Sequence, residues 1–222
     1  PDSPGATVQP SEFIATAEES GLIVRAGEWV LQAVCEQMRL WSGLLREPFR
    51  VAVNISSKQF ADPGFLDKVG CMHCILKERR VCSGITEFEI TESIFMNNEP
   101  TTMGALKVLH ENGIRLTIDD FGTGYSSLAY LNRFRVDAVK IDRSFVKDTT
   151  SSRDAATLVE AIIAMAHALN LTIIAEGVET AEQLALLRDL GCDMIQGYVF
   201  SPPLPADDIT ALLKEARSFG KT

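Results

Sequence analysis

The sequence predicts an α/β protein built as a (β/α)8 TIM-like barrel. Three observations carry this reading. From residue 50 onward, six short apolar runs of strand character recur at intervals of about 20 to 40 residues. Amphipathic helical stretches lie between them. Each of the six runs ends in a group able to bind a metal or to act as an acid or base: Asn54, Glu89, Asp119, Lys140 with Asp142, Glu176 and Gln196. Alternating strands and helices imply a parallel sheet. A doubly wound open sheet competes, but it places its ligand at one switch point and carries a Gly-rich fingerprint after its first strand. That fingerprint is missing here, whereas a barrel gathers chemistry from the C-terminal ends of several strands. Six runs do not close an eight-stranded barrel, so the reading expects about six of eight strands in residues 1–222, a single domain whose first two strands would precede Pro1.

Residues 1–10, with three Pro and one Gly, read as a loop. Pro10 suits the first position of a helix that Gly21 stops. A second helix is expected from about Gly27 to Trp41, with Val30, Val34, Met38 and Trp41 on one face. The strand runs follow as Val51–Ile55, Phe88–Thr91, Leu116–Asp119, Ala138–Asp142, Ile173–Glu176 and Met194–Tyr198. The clearest intervening helix carries Leu158, Val159, Ile162, Ile163, Ala166 and Leu169 and stops at Asn170. Other helices end at Asn112-Gly113 and at Gly191, and the last covers Ile209, Leu212, Leu213 and Ala216.

The sharpest local feature is Ile118-Asp119-Asp120-Phe121-Gly122-Thr123-Gly124-Tyr125-Ser126-Ser127-Leu128. Two adjacent carboxylates sit where a strand meets a glycine-punctuated turn. Such a pair repels itself and costs desolvation unless a cation or a shared proton offsets it. A plain helix cap is the competing use of these residues. Within a strand, residues of like parity share a face, so Lys140 and Asp142 project together. Asn54, Glu89, Asp119 and Glu176 can point into one mouth. Carboxylates with an amide oxygen are hard ligands suited to Mg²⁺, Mn²⁺ or Ca²⁺. Asp120 can reach a second ion, with Asp119 bridging. Two such ions about 3.5–4 Å apart suit in-line attack of water on a phosphodiester, and Lys140 would hold the water or offset phosphate charge.

Net charge is −9, from 30 acids against 21 Lys and Arg, which argues against a polynucleotide groove. The five Cys are odd in number and scattered, as expected for reduced thiols in the cytoplasm. Cys71, Cys74 and Cys82 have partial metal spacing, but no matched second pair accompanies them, and their stretch reads as helical. No apolar run is long enough to span a membrane. The parent could still carry an anchor elsewhere.

Several ordered motifs carry a resemblance: Val53-Asn54-Ile55-Ser56, Glu89-Ile90-Thr91-Glu92-Ser93, Asp119 through Leu128, Lys140 through Phe145, Ala175 through Thr180, Gln196-Gly197-Tyr198 and Pro203-Leu204-Pro205. From about residue 8 to 214 the chain resembles the EAL-domain family, which hydrolyses the bacterial messenger cyclic di-GMP. The resemblance implies a modified barrel whose first strand is antiparallel, and hydrolysis of one phosphodiester to give linear pGpG. It implies that Asn54, Glu89 and Asp119 ligate one divalent cation, with Asp120 and Glu176 at a second. It further implies that Lys140 lies near the attacking water, and that Asp142, Glu179 and Gln196 line the substrate and metal shell. Glu92 matches an acid that steadies the loop of Phe121, Gly122, Thr123, Gly124, Tyr125 and Ser126, which in the family couples metal binding to dimerisation. A homodimer and a flanking sensory or diguanylate cyclase domain are therefore expected.

The Glu-Ala-Leu signature itself is not in the sequence; the resemblance places it before residue 1, where its Glu would supply a further ligand. The residues from Val69 to Gly84 depart from the family's usual Leu-rich helix. The alternative function is a degenerate module that binds cyclic di-GMP as a receptor without turnover. Against it, every family acid that falls within the chain is kept. An unrelated metal-dependent barrel lyase or aldolase would leave the run of motifs unexplained. Mg²⁺ or Mn²⁺ is the expected cofactor; Ca²⁺, with its larger and looser shell, is expected to bind and inhibit.

Overall fold

Each of the six apolar runs contains a strand, although the last covers only Met194–Ile195 of the expected Met194–Tyr198, where the chain turns away at Gln196 and Gly197. The computed structural model describes residues 10–44, 49–70, 86–92, 94, 100–123 and 136–219. Its strands are β1 (Val51–Ile55), β2 (Thr86–Thr91), β3 (Arg115–Phe121), β4 (Ala138–Ile141), β5 (Thr172–Ala175) and β6 (Met194–Ile195). All five pairings are parallel, and the order is β1-β2-β3-β4-β5-β6. That unbroken order separates the two architectures the sequence allows. A doubly wound sheet reverses its order at a switch point. Here the strands step round in one direction, as in a barrel, and form a half-barrel with helices.

The helices are α1 (Pro10–Ser20), α2 (Leu22–Ser42), α3 (Ser57–Phe60), α4 (Pro100–Glu111), α5 (Arg143–Val146), α6 (Arg153–Ala168), α7 (Ala181–Asp189) and α8 (Ala206–Phe219). Their limits have local causes. Gly21, at φ 75, separates α1 from α2. Helix α2 therefore begins at Leu22, five residues before the start expected at Gly27. Gly27 instead lies buried inside the helix, where a Cβ would collide with the Gln59 side chain. Gln59 completes a capping box with Ser56 at the start of α3. Thr180 and Gln183 form the same box at the start of α7. Asn170, at φ 58, ends the turn after α6 as the sequence suggests. Cys71, Cys74 and Cys82 lie outside the described residues, as does most of the segment around them.

The core lies between the sheet's outer face and the helices. Phe88, Ile90, Leu116, Val139, Ile141 and Ile173 are all at most 1% exposed. They meet Leu109 of α4, Val159, Ile163 and Ala166 of α6, and Leu187 of α7 in one cluster. The alternate residues, Glu87, Glu89, Thr117, Asp119, Ala138 and Lys140, face the other way. Helix α8 returns to α2, where Trp41 Nε1 donates to Thr210 Oγ1 at 2.8 Å. No described helix is long and apolar enough to cross a membrane.

Two substitutions separate core packing from capping. Phe88→Ala, at a fully buried site, should cost about 3–5 kcal/mol. Thr180→Ala, which removes the acceptor for Gln183 N, should cost about 1 kcal/mol. Urea denaturation of both variants reads the two values; comparable losses would contradict the placement of Phe88 in the core.

Candidate active site

The inward-facing residues form two layers. In the lower layer Glu87 is buried and accepts a short hydrogen bond from Thr117 Oγ1, which is itself fully buried. Arg50 and Arg115 each lie 3.8 Å from its other carboxylate oxygen. Asp137 receives Leu116 N at 2.9 Å and stands 4.0 Å from Arg115. Acid and base are matched here. Sequence reading overlooked this layer, although the Thr86-Glu87-Phe88-Glu89-Ile90 alternation already puts both acids of β2 on one face.

The upper layer, at the C-terminal strand ends, is not balanced. Lys140 is 3% exposed, and its ammonium bonds to Glu89 Oε2 at 2.8 Å, Asp119 Oδ1 at 3.2 Å and Glu176 Oε1. One cation thus faces three carboxylates. Burial works against the lysine charge, but Glu89, Glu176 and Asp119 outweigh it and raise its pKa. The carboxylates are not relieved to the same degree. Burial raises Glu89 above the ordinary range against the pull of Lys140. Glu176 is raised chiefly by burial, with Asp119 and Glu89 adding to it against Lys140. Asp120 is raised by burial and then by the charges of Asp119 and Asp142.

A regular strand would send Asp119 and Asp120 to opposite faces. The β3–β4 register shifts between Ile118 and Phe121, and Asp120 takes φ 53. This irregularity turns the second acid back, and the carboxylates of Asp119, Asp120 and Glu176 come within 4.8 Å of one another. Thr123 fixes the bend by donating Oγ1 to the Asp120 carbonyl at 2.8 Å. Asp119 Oδ1 also accepts Asp120 N at 3.1 Å. Asn54 is exposed and sits beside Glu89 in register at the edge of the cluster. An oxygen-only donor set with surplus negative charge fits one or more hard divalent cations.

The other predicted residues take different places. Asp142 caps α5 through Ser144 N at 3.0 Å and the Ser144 hydroxyl. Burial opposes its charge, but those Ser144 bonds prevail and lower its pKa. Glu179 is exposed at the entrance to α7, and its N donates to Gln183 Oε1. Gln196 continues the β5–β6 pairing, with its N on Ala175 O at 2.8 Å and its carbonyl receiving Val178 N at 3.2 Å. Glu92 is half-buried, with Oε2 buried and lacking a hydrogen-bond partner among the described residues. Phe121 is core, and Gly122, at φ 95, packs on Phe145. Gly124, Tyr125 and Ser126 lie outside the described residues.

A pH dependence follows for the metal-free chain. Glu89, Glu176 and Asp120 have raised pKa values in the folded state, so that state holds their protons more tightly than the unfolded chain. Their contribution is complete below the unfolded carboxylate range, about 4, and is lost as pH rises through the folded values. Asp142 has the opposite sign, contributing above the unfolded range and losing its effect only at more acid pH. Urea midpoints should therefore fall as pH rises from about 4.5 towards neutrality, and Asp120→Asn should flatten the slope. A midpoint that climbs over this interval would contradict the crowding of these acids.

Comparison with known proteins agrees with this geometry. Residues 2–203 match the family model described as the EAL domain. The chain is 42% identical over 204 residues to the bifunctional diguanylate cyclase/cyclic di-GMP phosphodiesterase MucR of Pseudomonas aeruginosa, covering 92% of this chain and 29% of MucR. It is 41% identical over 201 residues to the cyclic di-GMP phosphodiesterase PdeR of Escherichia coli, covering 90% of this chain and 30% of PdeR. The chain thus spans about 30% of the length of these relatives. Among solved structures, the PaMucR phosphodiesterase in complex with c-di-GMP superposes with a TM-score of 0.85 at 40% identity, over 94% of this chain and 83% of that one. The EAL enzyme Bd1971 with cAMP and cyclic-di-GMP bound gives 0.88 at 32% identity, over 96% of this chain and 58% of that one. With its strand order, its acid-rich strand ends and these matches, the chain belongs to the EAL domain family.

Proposed function

We propose that this chain is a metal-dependent phosphodiesterase domain that opens one phosphodiester of cyclic di-GMP to give linear pGpG in bacterial second-messenger signalling. The observation that carries this reading is the cluster of Asp119, Asp120 and Glu176 around Lys140 at the strand ends of an EAL domain. Asn54, Glu89 and Asp119 would hold one Mg²⁺ or Mn²⁺, and Asp120 and Glu176 a second, with Asp119 between them. Bound there, the cations would offset charge on the phosphodiester and make water more acidic.

The chain's own residues divide the remaining work. Lys140 stays protonated because Glu89, Glu176 and Asp119 raise its pKa against burial. It therefore serves as a fixed positive charge and donor, orienting the attacking water, and not as the base. Glu176, whose carboxylate contacts Lys140, is the group that would take the proton from that water. Asp142, Glu179 and Gln196 would face the substrate. Glu92 and the loop from Phe121 to Ser126 would couple the site to a homodimer. A single domain over residues 1–222, a cytoplasmic location and attachment to a sensory or cyclase domain complete the reading. The short share of its longer relatives that the chain spans supports the last of these.

The test is hydrolysis of cyclic di-GMP with Mg²⁺ or Mn²⁺ beside equilibrium binding in Ca²⁺. Turnover to pGpG is expected with Mg²⁺ or Mn²⁺, and binding with little turnover in Ca²⁺. Tight binding without turnover in any metal would make the domain a receptor.

Variants sharpen the assignment. Glu89→Ala, Asp119→Ala or Asn54→Ala should abolish turnover through metal loss; full metal occupancy with retained activity in any of them would contradict the ligand set. Lys140→Ala should lower kcat by about 10²–10⁴-fold with KM little changed, and a rise in KM alone would make it a ground-state phosphate contact.

A further inference from the structure

Glu176 stands one residue beyond β5, and its N donates to the Ile141 carbonyl at 3.1 Å. The two residues after it are wedged between neighbouring backbones. On the β4 side, Gly177 has φ +64, and a Cβ there would lie 2.5 Å from Arg143 Cβ. On the β6 side, Val178 N donates to Gln196 O at 3.2 Å, and Val178 O accepts Val199 N at 2.9 Å. These bonds bracket Gly197. A Cβ on Gly197 would lie 2.1 Å from the Val178 carbonyl oxygen and 2.4 Å from the Val178 nitrogen. Those are backbone atoms, so no change of rotamer relieves the overlap. The left-handed glycines do not include Gly197. Its need for a hydrogen in place of a side chain is therefore steric, set by how closely two backbones approach.

We propose that Gly197, with Gly177 on the opposite flank, is a positioning residue for Glu176. The missing side chains let the segment 176–178 seat at the depth where the Glu176 carboxylate meets Lys140 and the Asp119–Asp120 pair. A methyl group at 197 pushes Val178 away from β6 and carries Glu176 out of that contact. This role rests on the phosphodiesterase reading for its consequence in turnover, but the displacement of Glu176 is independent of it.

The experiment compares Gly197→Ala with Gly191→Ala in the full chain. Gly191 has φ +85, and a Cβ there would meet only His167 Cε1, at 3.9 Å. Alanine at 191 thus introduces a destabilising backbone strain at the far end of β6 without any overlap at Val178. The metal-free readout is the ¹⁵N NMR signal of the Lys140 ammonium, which reports its ion pair with Glu176. The second readout is Mn²⁺ affinity by electron paramagnetic resonance. In Gly197→Ala the Lys140 signal should shift, Mn²⁺ affinity should fall about 10–100-fold, and kcat should fall about a hundredfold with KM little changed. In Gly191→Ala only the melting temperature should drop. A Gly197→Ala protein with wild-type Lys140 signal and Mn²⁺ affinity would overturn the proposal.

If Gly197→Ala does not fold, the other flank carries the test. Gly177→Ala should weaken Mn²⁺ binding, and adding Arg143→Gly, which removes the facing Cβ but not the backbone strain at φ +64, should restore it in part. No restoration would overturn the wedge. A wild-type chain that shows the Lys140–Glu176 pair yet never hydrolyses cyclic di-GMP would count against the phosphodiesterase reading alone.

Discussion

A lysine ammonium buried where parallel strands end keeps its charge only if carboxylates surround it, and Lys140 has three. Glu89, Asp119 and Glu176 come from β2, β3 and the residue after β5, so the ion cluster ties together elements far apart in sequence. The same contacts fix side chains that would otherwise repel. The cost is a surplus of negative charge that one lysine cannot neutralise; burial, with the neighbouring acids adding to it, raises the pKa values of Glu89, Glu176 and Asp120. A site left short of positive charge in this way is prepared for cations.

The lower layer makes the contrast instructive. There Glu87 has two arginines and a threonine hydroxyl around it. Nothing in that layer asks for a further cation. Two layers of the same inward face, one pleat apart, are thus a structural ion cluster and a candidate reaction centre. Their difference is the ratio of acids to bases, set by Glu89, Asp119, Asp120 and Glu176 converging on Lys140.

Backbone irregularity gives the upper layer its second acid. The strand period would waste one of two adjacent aspartates on the wrong face. The register shift in β3 and the φ of 53 at Asp120 return it, and Thr123 holds the turn. Across the cluster, Gly177 and Gly197 bring three backbones together around Glu176. Strain and close approach are concentrated at the strand ends, while the outward sides of the same strands pack as ordinary aliphatic core.

Much of this was open to the sequence alone. The apolar runs located the six described strands, because the face that packs on the helices needs apolar side chains whatever its neighbours. The polar residue closing each run, from Asn54 to Gln196, marked where chemistry would gather, and the motif order carried the family. Helix stops at Gly21 and Asn170 were legible because positive φ has its own residue preference. Other features required the tertiary structure. Gly27 read as a helix start, yet it is glycine because Gln59 packs on it from a distant turn. Asp142 was grouped with Lys140 by parity, yet Ser144 draws it into a helix cap. That Lys140 serves three acids, that Asp120 turns back toward Glu176, and that Gly197 must lack a side chain all depend on atoms brought together across the sheet. Local sequence fixes which faces are apolar and where strands end; only the packed sheet decides which charges become neighbours, because that depends on register and backbone separation between strands distant in the chain.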